Sequence, residues 1–243
     1  MSIRVLVNGA AGRMGQITAA TIKQDAAFEL VAETHSSDEL KKSLLSSKAA
    51  IGIDFTNAAV VFENAKNIIL AGVHPVIGTS GLLPEQIKEL QHLCAEKNLG
   101  GIIAPNFCIG VLLMMRLAEQ AAQFFPECEI IETHHEKKLD APSATAIKTA
   151  ELISSARKKL PSIKKVHETL TSARGAVKNQ VPIHALRLPG FLAKQDIIFG
   201  HLGGNLVIAH ETIDRNAYMP GVLLACKKVM SLKKLVYGLE NFL

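Results

Sequence analysis

The chain reads as α/β in two parts, a parallel-sheet domain and then an α+β domain with a mixed, mostly antiparallel sheet. Three observations predict this. β-branched runs alternate with segments of helical period through the first hundred or so residues. A glycine triplet, Gly9, Gly12 and Gly15, follows the first such run and opens a helix, the Rossmann-type arrangement. Beyond it the alternation gives way to one long apolar helix and strands joined without long crossovers. The predicted boundaries are 1–106, completed by 216–243, and 107–215.

In order, "IRVLVN" is a buried-strand run and "QITAATIKQ" a helix. "FELVAETH" is a second strand carrying Glu33 near its end. "AAIGIDFT" and "HPVIGTSG" repeat the form of strand, then turn. Between them "AVVFENAKNIILAG" has helical period. "LPEQIKELQHLCAEKN" places Pro84 in a first helical turn, and "GGIIAPNF" is a further strand. In the second part "IGVLLMMRLAEQAAQFF" is helical, "CEIIETHH" a strand and "PSATAIKTAELISSARKKL" a helix. "VPIHALRL", "QDIIFGH" and "NLVIAHETI" then read as antiparallel strands, before a closing helix and terminal segment.

Composition narrows the classes. The 243 residues are 48% hydrophobic and 20% charged, ordinary for a globular protein with a sizeable core. Arg4 and Asn8 interrupt the opening apolar stretch, unlike a signal peptide, and no apolar run approaches the roughly 18 residues of a membrane span. Cys94, Cys108, Cys128 and Cys226 lack zinc-site or disulfide-framework spacing, so the expectation is a cytoplasmic protein with no metal. The net charge of +5 comes from dispersed lysine pairs, not a stripe, and there is no Trp and only two Tyr. That argues against nucleic acid and suits small anionic ligands.

The glycine turn explains one ligand. Glycines between a strand and a helix allow a tight turn and close approach of a pyrophosphate, whose charge meets the helix N-terminal amides. Gly9, Gly12, Arg13 at the turn and Glu33, placed to accept ribose hydroxyls, therefore predict a nicotinamide dinucleotide. Thr34 and His35, not Arg or Lys, follow Glu33, which favours NADH over NADPH.

Residues 132–145, "ETHHEKKLDAPSAT", concentrate proton carriers. His134 and His135 share one cavity only if the strand ends there. Histidine passes protons near neutral pH, Lys138 adds fixed positive charge, and Ser143 and Thr145 stand where a helix begins, with amides suited to a carboxylate.

This stretch resembles the E-x-H-H-x-x-K-x-D-x-P-S-G-T-A signature of the dihydrodipicolinate reductase family, matched by Glu132, His134, His135, Lys138, Asp140, Pro142, Ser143, Thr145 and Ala146. "NGAAGRMG" is similar to that family's dinucleotide loop, "DFT" and "GTSG" to its cofactor-contact turns, "APNFCIGV" to its hinge, and "IAHETIDR" to its final strand and interdomain arginine, Arg215. The resemblance implies hydride transfer from NADH or NADPH to a cyclic imine dicarboxylate, giving tetrahydrodipicolinate in lysine and diaminopimelate biosynthesis. It implies proton handling by His134 and Lys138, and substrate contacts from His135, Ser143, Ala144 and Thr145. Cofactor contacts would come from Gly9, Ala10, Ala11, Gly12, Arg13, Met14, Glu33, Phe55, Gly78, Thr79, Ser80, Ala104, Pro105, Asn106 and Phe107. It also implies a substrate domain whose sheets join in a homotetramer.

Three positions depart from the pattern. Ala144 stands for glycine, Cys108 for serine, and Lys194-Gln195-Asp196 for Gly-x-His. Two other readings accommodate the glycine turn: another two-domain NAD(P)-dependent reductase of an amino acid or semialdehyde, and a non-catalytic NAD(H)-sensing regulator. The first gives no reason for the histidine pair and the PSAT loop, and the second would bring a basic recognition helix that the sequence lacks.

Overall fold

The computed structural model describes residues 2–159, 161 and 166–243. It divides into two compact units, residues 1–109 with 215–243, and residues 110–214.

The first unit carries a six-stranded, wholly parallel sheet in the order β11-β5-β4-β3-β1-β2. Its strands are β1 (Ile3–Asn8), β2 (Phe28–Thr34), β3 (Ile51–Asp54), β4 (His74–Ile77), β5 (Gly101–Ile103) and β11 (Leu235–Tyr237). The helices are α1 (Arg13–Gln24), α2 (Ser37–Ser46), α3 (Val61–Leu70), α4 (Pro84–Glu96) and α7 (Met219–Val229). Buried Val5, Leu6, Val7, Ile51 and Ile53 make the central strands continuous apolar runs, because helices cover both faces of a parallel sheet. Leu6, Leu40, Ile68, Ile69, Leu90 and Leu235 belong to one core cluster. Strand order reverses between β1 and β3, the switch point at which such sheets bind ligands beyond their strand C-termini.

Two of this unit's strands and α-helices are not among those predicted. α2 is capped by Ser36, whose hydroxyl accepts from the Glu39 amide. β11 lies in the terminal segment and adds a parallel strand beside β5.

The second unit has α5 (Ile109–Ala122), with Ile109 at the unit boundary, and α6 (Ala144–Ala156). Its strands are β6 (Glu127–His134), β7 (Ala176–Lys178), β8 (Val181–Arg187), β9 (Ala193–His201) and β10 (Gly204–Thr212). They form a sheet in the order β10-β9-β6-β8-β7. β9–β10, β6–β9 and β7–β8 pair antiparallel while β6–β8 is parallel. The mixed, mostly antiparallel sheet is as predicted, but β8 and β9 are not neighbours: β6 lies between them. The α6 helix ends at Ala156, earlier than its periodicity suggests; of that predicted tail, Leu160 lies outside the described residues. Among the described residues no helix is long and apolar enough to cross a membrane, and no group of three His, Cys, Asp or Glu side chains is placed to hold a metal ion.

Candidate active site

In the first unit the turn after β1 is drawn tight by Gly9 and Ala10, whose amides both donate to Thr34 O, at 2.9 and 3.1 Å. Gly9 has φ +81°, and a Cβ there would lie 2.4 Å from Phe55 O. A Cβ on Gly15 would lie 2.1 Å from Gly9 O, so that glycine lets α1 sit directly against the turn. Gly12 caps α1 without a side-chain hydrogen bond, which leaves the helix N-terminal amides facing outward as anion donors.

Beside this turn lies a cavity of about 390 Å³ whose walls include Gly9, Ala11, Gly12, Phe55, His35 and Ser36. A buried polar network anchors it. Asp54, fully buried at the end of β3, accepts through Oδ2 from Asn8 Nδ2 (2.8 Å) and Asn64 Nδ2 (3.0 Å). Its Oδ1 accepts from Thr79 Oγ1 (2.6 Å), Thr56 Oγ1 (2.7 Å) and the Thr56 amide (3.2 Å). The strand register explains the arrangement, since Asn8 lies between its partners Thr34 and Asp54 in one row of the sheet.

Other expected cofactor residues cluster on this strand-end rim. Phe55 and Phe107 meet edge to face at 5.7 Å, and Gly78 leaves room for both rings. Thr79 belongs to the Asp54 network, whereas Ser80, Pro105 and Arg13 are exposed. Met14 is half-buried in the first turn of α1. Ala104 is buried, and Asn106 accepts from the amide of the buried Cys108. Glu33 is not in the cavity wall; it accepts from Lys23 Nζ at 2.7 Å. Lys23 is a cation that reading only the residues after Glu33 overlooks.

In the second unit, strand alternation puts Glu132 and His134 on one face of β6, and His135 falls beyond the strand end. Glu132 is fully buried. Its Oε2 lies 2.5 Å from His134 Nδ1 and accepts from Arg187 Nη1 at 2.9 Å. Its Oε1 accepts from Arg187 Nη2 at 2.8 Å and from the Ser143 amide at 3.0 Å. Burial by itself would raise the Glu132 pKa, but the hydrogen bonds from His134 and Arg187, with the Ser143 amide, hold it at about 2.

Arg187 Nη2 also donates to Asp140 O at 2.6 Å, tying the loop that follows β6 to the strand. On that loop Lys138 Nζ contacts both Asp140 oxygens, at 2.7 and 2.8 Å, and the ammonium lowers the Asp140 pKa. The buried His135 Nδ1 has no hydrogen-bond partner among the described residues.

Ser143 is the N-cap of α6, and its hydroxyl accepts from the Ala146 amide. Ala144 and Thr145 thus supply the first-turn amides, at the positive end of the helix. Ala144 is the first helical residue and has no positive φ, so replacing glycine there brings no backbone strain. Gln195 is buried and donates to Thr149 Oγ1 of α6 at 2.9 Å, a structural role within the unit. Lys194 and Asp196 pair with each other at 3.1 Å.

The structure therefore assembles His134, His135, Lys138, Ser143, Ala144 and Thr145 around the end of β6 and the start of α6. Two members of this cluster lay outside the predicted site set, Glu132 and Arg187. The i, i+2 spacing of Glu132 and His134 on a strand was the available signal for the first.

A Rossmann-type unit with a glycine turn, joined in one chain to a unit bearing a His–Lys–amide cluster, defines an NAD(P)H-dependent oxidoreductase. Sequence models described as dihydrodipicolinate reductase, N-terminus and C-terminus, match residues 3–107 and 110–243. The chain belongs to the dihydrodipicolinate reductase family. It is 51% identical to 4-hydroxy-tetrahydrodipicolinate reductase of Legionella pneumophila (strain Corby) and 49% to that of Coxiella burnetii (strain RSA 493 / Nine Mile phase I), with both chains covered completely in each case. The structure of dipicolinate-bound dihydrodipicolinate reductase from Paenisporosarcina sp. TG-14 superimposes with a TM-score of 0.90 at 39% identity, again over the whole of both chains. These full-length matches displace the two alternatives, a different two-domain reductase and an NAD(H) sensor.

Proposed function

We propose that the first unit holds the dinucleotide and the second reduces a cyclic imine dicarboxylate, 4-hydroxy-tetrahydrodipicolinate in its dehydrated form, to tetrahydrodipicolinate. The observation that carries this reading is the cluster of His134, Lys138 and the α6 N-terminus on one unit. The glycine turn fits the cofactor, because the space that a Cβ on Gly9 would fill and the free amides of α1 suit a pyrophosphate. When bound, the nicotinamide supplies the hydride.

The remaining steps fall to the chain's own groups. The Ala144 and Thr145 amides and the Thr145 hydroxyl receive one substrate carboxylate, with His135 beside them. Lys138 exchanges its Asp140 partner for the incoming anion. His134 and Lys138 handle the protons that neutralise negative charge developing on the ring nitrogen. The dipicolinate bound to the Paenisporosarcina relative, a planar dicarboxylate, supports the substrate class.

Glu33 accepts the ribose hydroxyls, and NADH is favoured because the nearby cation, Lys23, already pairs with that acid. We also propose a homotetramer joined through the second unit's sheet, whose outward face carries Ile131, His184 and Ile198 along a depression of about 1170 Å³. A cytoplasmic setting is supported by four buried cysteines, none of them joined in a disulfide.

The test is oxidation of NADH and of NADPH, with substrate generated in place from pyruvate and aspartate semialdehyde by a coupling synthase. The wild type turns over with both cofactors and faster with NADH. His134→Ala and Lys138→Ala each lower turnover by about 10²–10⁴-fold. Absence of wild-type turnover, or full activity in both variants, would sink the reading.

A further inference from the structure

The chemistry just described leaves Glu132 without a task, although its two oxygens take part in four hydrogen bonds. We propose that Glu132 is a positioning residue: it fixes His134 as the Nδ1–H tautomer, so that Nε2 is the nitrogen that exchanges a proton with substrate. It also joins that histidine to the first turn of α6. The inference rests on the reading that His134 handles a proton.

The argument is one of donors and acceptors. An ionised carboxylate only accepts, so the 2.5 Å contact places a hydrogen on His134 Nδ1. The ring then has Nε2 alone as its exchangeable site. Glu132 is held ionised by Arg187, whose guanidinium donates to both its oxygens and does not deprotonate, so the proton stays on the ring.

The groups facing the carboxylate are His134 on its own strand, Arg187 on β8 and the Ser143 amide at the head of α6. The Lys138–Asp140 pair on the intervening loop is linked to them through the Asp140 carbonyl. If the carboxylate served only to neutralise Arg187, a histidine on the same face would be superfluous. Instead the His134 side chain is 17% exposed against 0% for Glu132, so the ring spans from the buried carboxylate to the surface. One carboxylate therefore holds the proton-handling ring and the carboxylate-binding amides in a fixed mutual geometry.

Glu132→Gln makes a sharp prediction. The Oε1 position meets two fixed donors, Arg187 Nη2 and the Ser143 amide, whereas Oε2 meets only one, Arg187 Nη1, and a ring that can change tautomer, so the new carbonyl oxygen goes to the Oε1 position. The new NH2 group faces His134, whose Nδ1 must then accept, and the ring switches to the Nε2–H tautomer.

The experiment is nitrogen NMR of the full-length protein labelled at histidine, with His134 assigned from the His134→Gln spectrum, alongside steady-state kinetics. The expected result is Nδ1–H in the wild type and Nε2–H in Glu132→Gln. With it goes a fall in kcat of about 10²-fold or more, while KM changes by less than about threefold. Glu132→Asp keeps the charge and restores part of kcat; together with the wild-type spectrum it decides the matter if Glu132→Gln does not fold. Nε2–H in the wild type, or an unchanged kcat in Glu132→Gln, overturns the inference. A wild type that shows Nδ1–H but reduces no substrate overturns the functional reading instead.

Discussion

Among the described residues, each unit buries one carboxylate completely at or near the C-terminal end of a central strand, Asp54 in the first and Glu132 in the second. Their partners differ in kind. Asp54 is surrounded by neutral donors: two asparagine amides, two threonine hydroxyls and one backbone amide. Glu132 is met by an arginine and a histidine as well as an amide. Neutral donors hold three turns in shape, which is what a preformed nucleotide site requires. The arginine and the histidine connect the buried acid to the groups proposed to meet substrate. On the proposed mechanism the buried polar networks of the two units serve different ends, rigidity in one and proton chemistry in the other.

The sharpest way to break the first half of that comparison is to deform the turn that the neutral network supports. Gly9→Ala places a side chain at φ +81° and 2.4 Å from a backbone oxygen. Positive φ alone costs about 1–2 kcal/mol, and the clash displaces Phe55 as well. We expect NADH affinity to fall by at least about 100-fold, equivalent to roughly 3 kcal/mol. Calorimetric titration checks this; near-native affinity would show that the turn adapts and that the network does not preset it.

Acid sharpens the second half. The Glu132 pKa is about 2 in the folded protein against an ordinary 4.5. Between those values the unfolded chain binds the extra proton, so the stabilisation is complete above about pH 5 and is lost as the pH falls towards 2. At about 1.4 kcal/mol per pH unit the difference is roughly 3 kcal/mol. Urea midpoints of wild type and Glu132→Gln should therefore converge on acidification. Parallel curves would mean that the acid limb belongs to other carboxylates.

Asp54→Asn is the matching change in the neutral network. An NH2 group replaces an oxygen that accepts from two asparagine amides or from the Thr56 amide and two hydroxyls, and Asn8 cannot simply flip, because its Oδ1 accepts from Thr34. We expect a loss of about 1–3 kcal/mol, largely independent of whether the Glu132 network is intact. A coupling between Asp54→Asn and Glu132→Gln in a double-mutant cycle would erase the distinction between the two networks.

Much of this organisation is legible in the chain itself. Apolar runs ending in Gly9, Phe55-Thr56 and Gly78-Thr79 announce the parallel sheet, since helices on both faces leave no polar alternation. The His134–Lys138 cluster is legible because unusual residue types fall close together. What escapes is contact between residues distant in sequence. Arg187 reaches Glu132 only because β8 lies parallel to β6, a pairing made after a long connection. Lys23 reaches Glu33 from the last turn of α1. The α2 helix was within reach, since Ser36 and Glu39 have the spacing of a capping box. Its short apolar face gave too little periodicity to announce it.

The smallest expected effect concerns Ala144, where the family signature has glycine. Such a glycine would matter if the backbone there were left-handed, or if a methyl group obstructed the amides that meet a carboxylate. The backbone condition fails, because Ala144 opens α6 without positive φ. The methyl group is exposed at the surface of the first turn. Alanine is also the better helix former, by up to about 1 kcal/mol in a helix interior and less at the first position. Ala144→Gly should therefore lower stability by a few tenths of a kcal/mol and leave kcat unchanged. A marked fall in KM for the dicarboxylate in that variant would show instead that the methyl group crowds the bound substrate, and that the two amides are its nearest donors.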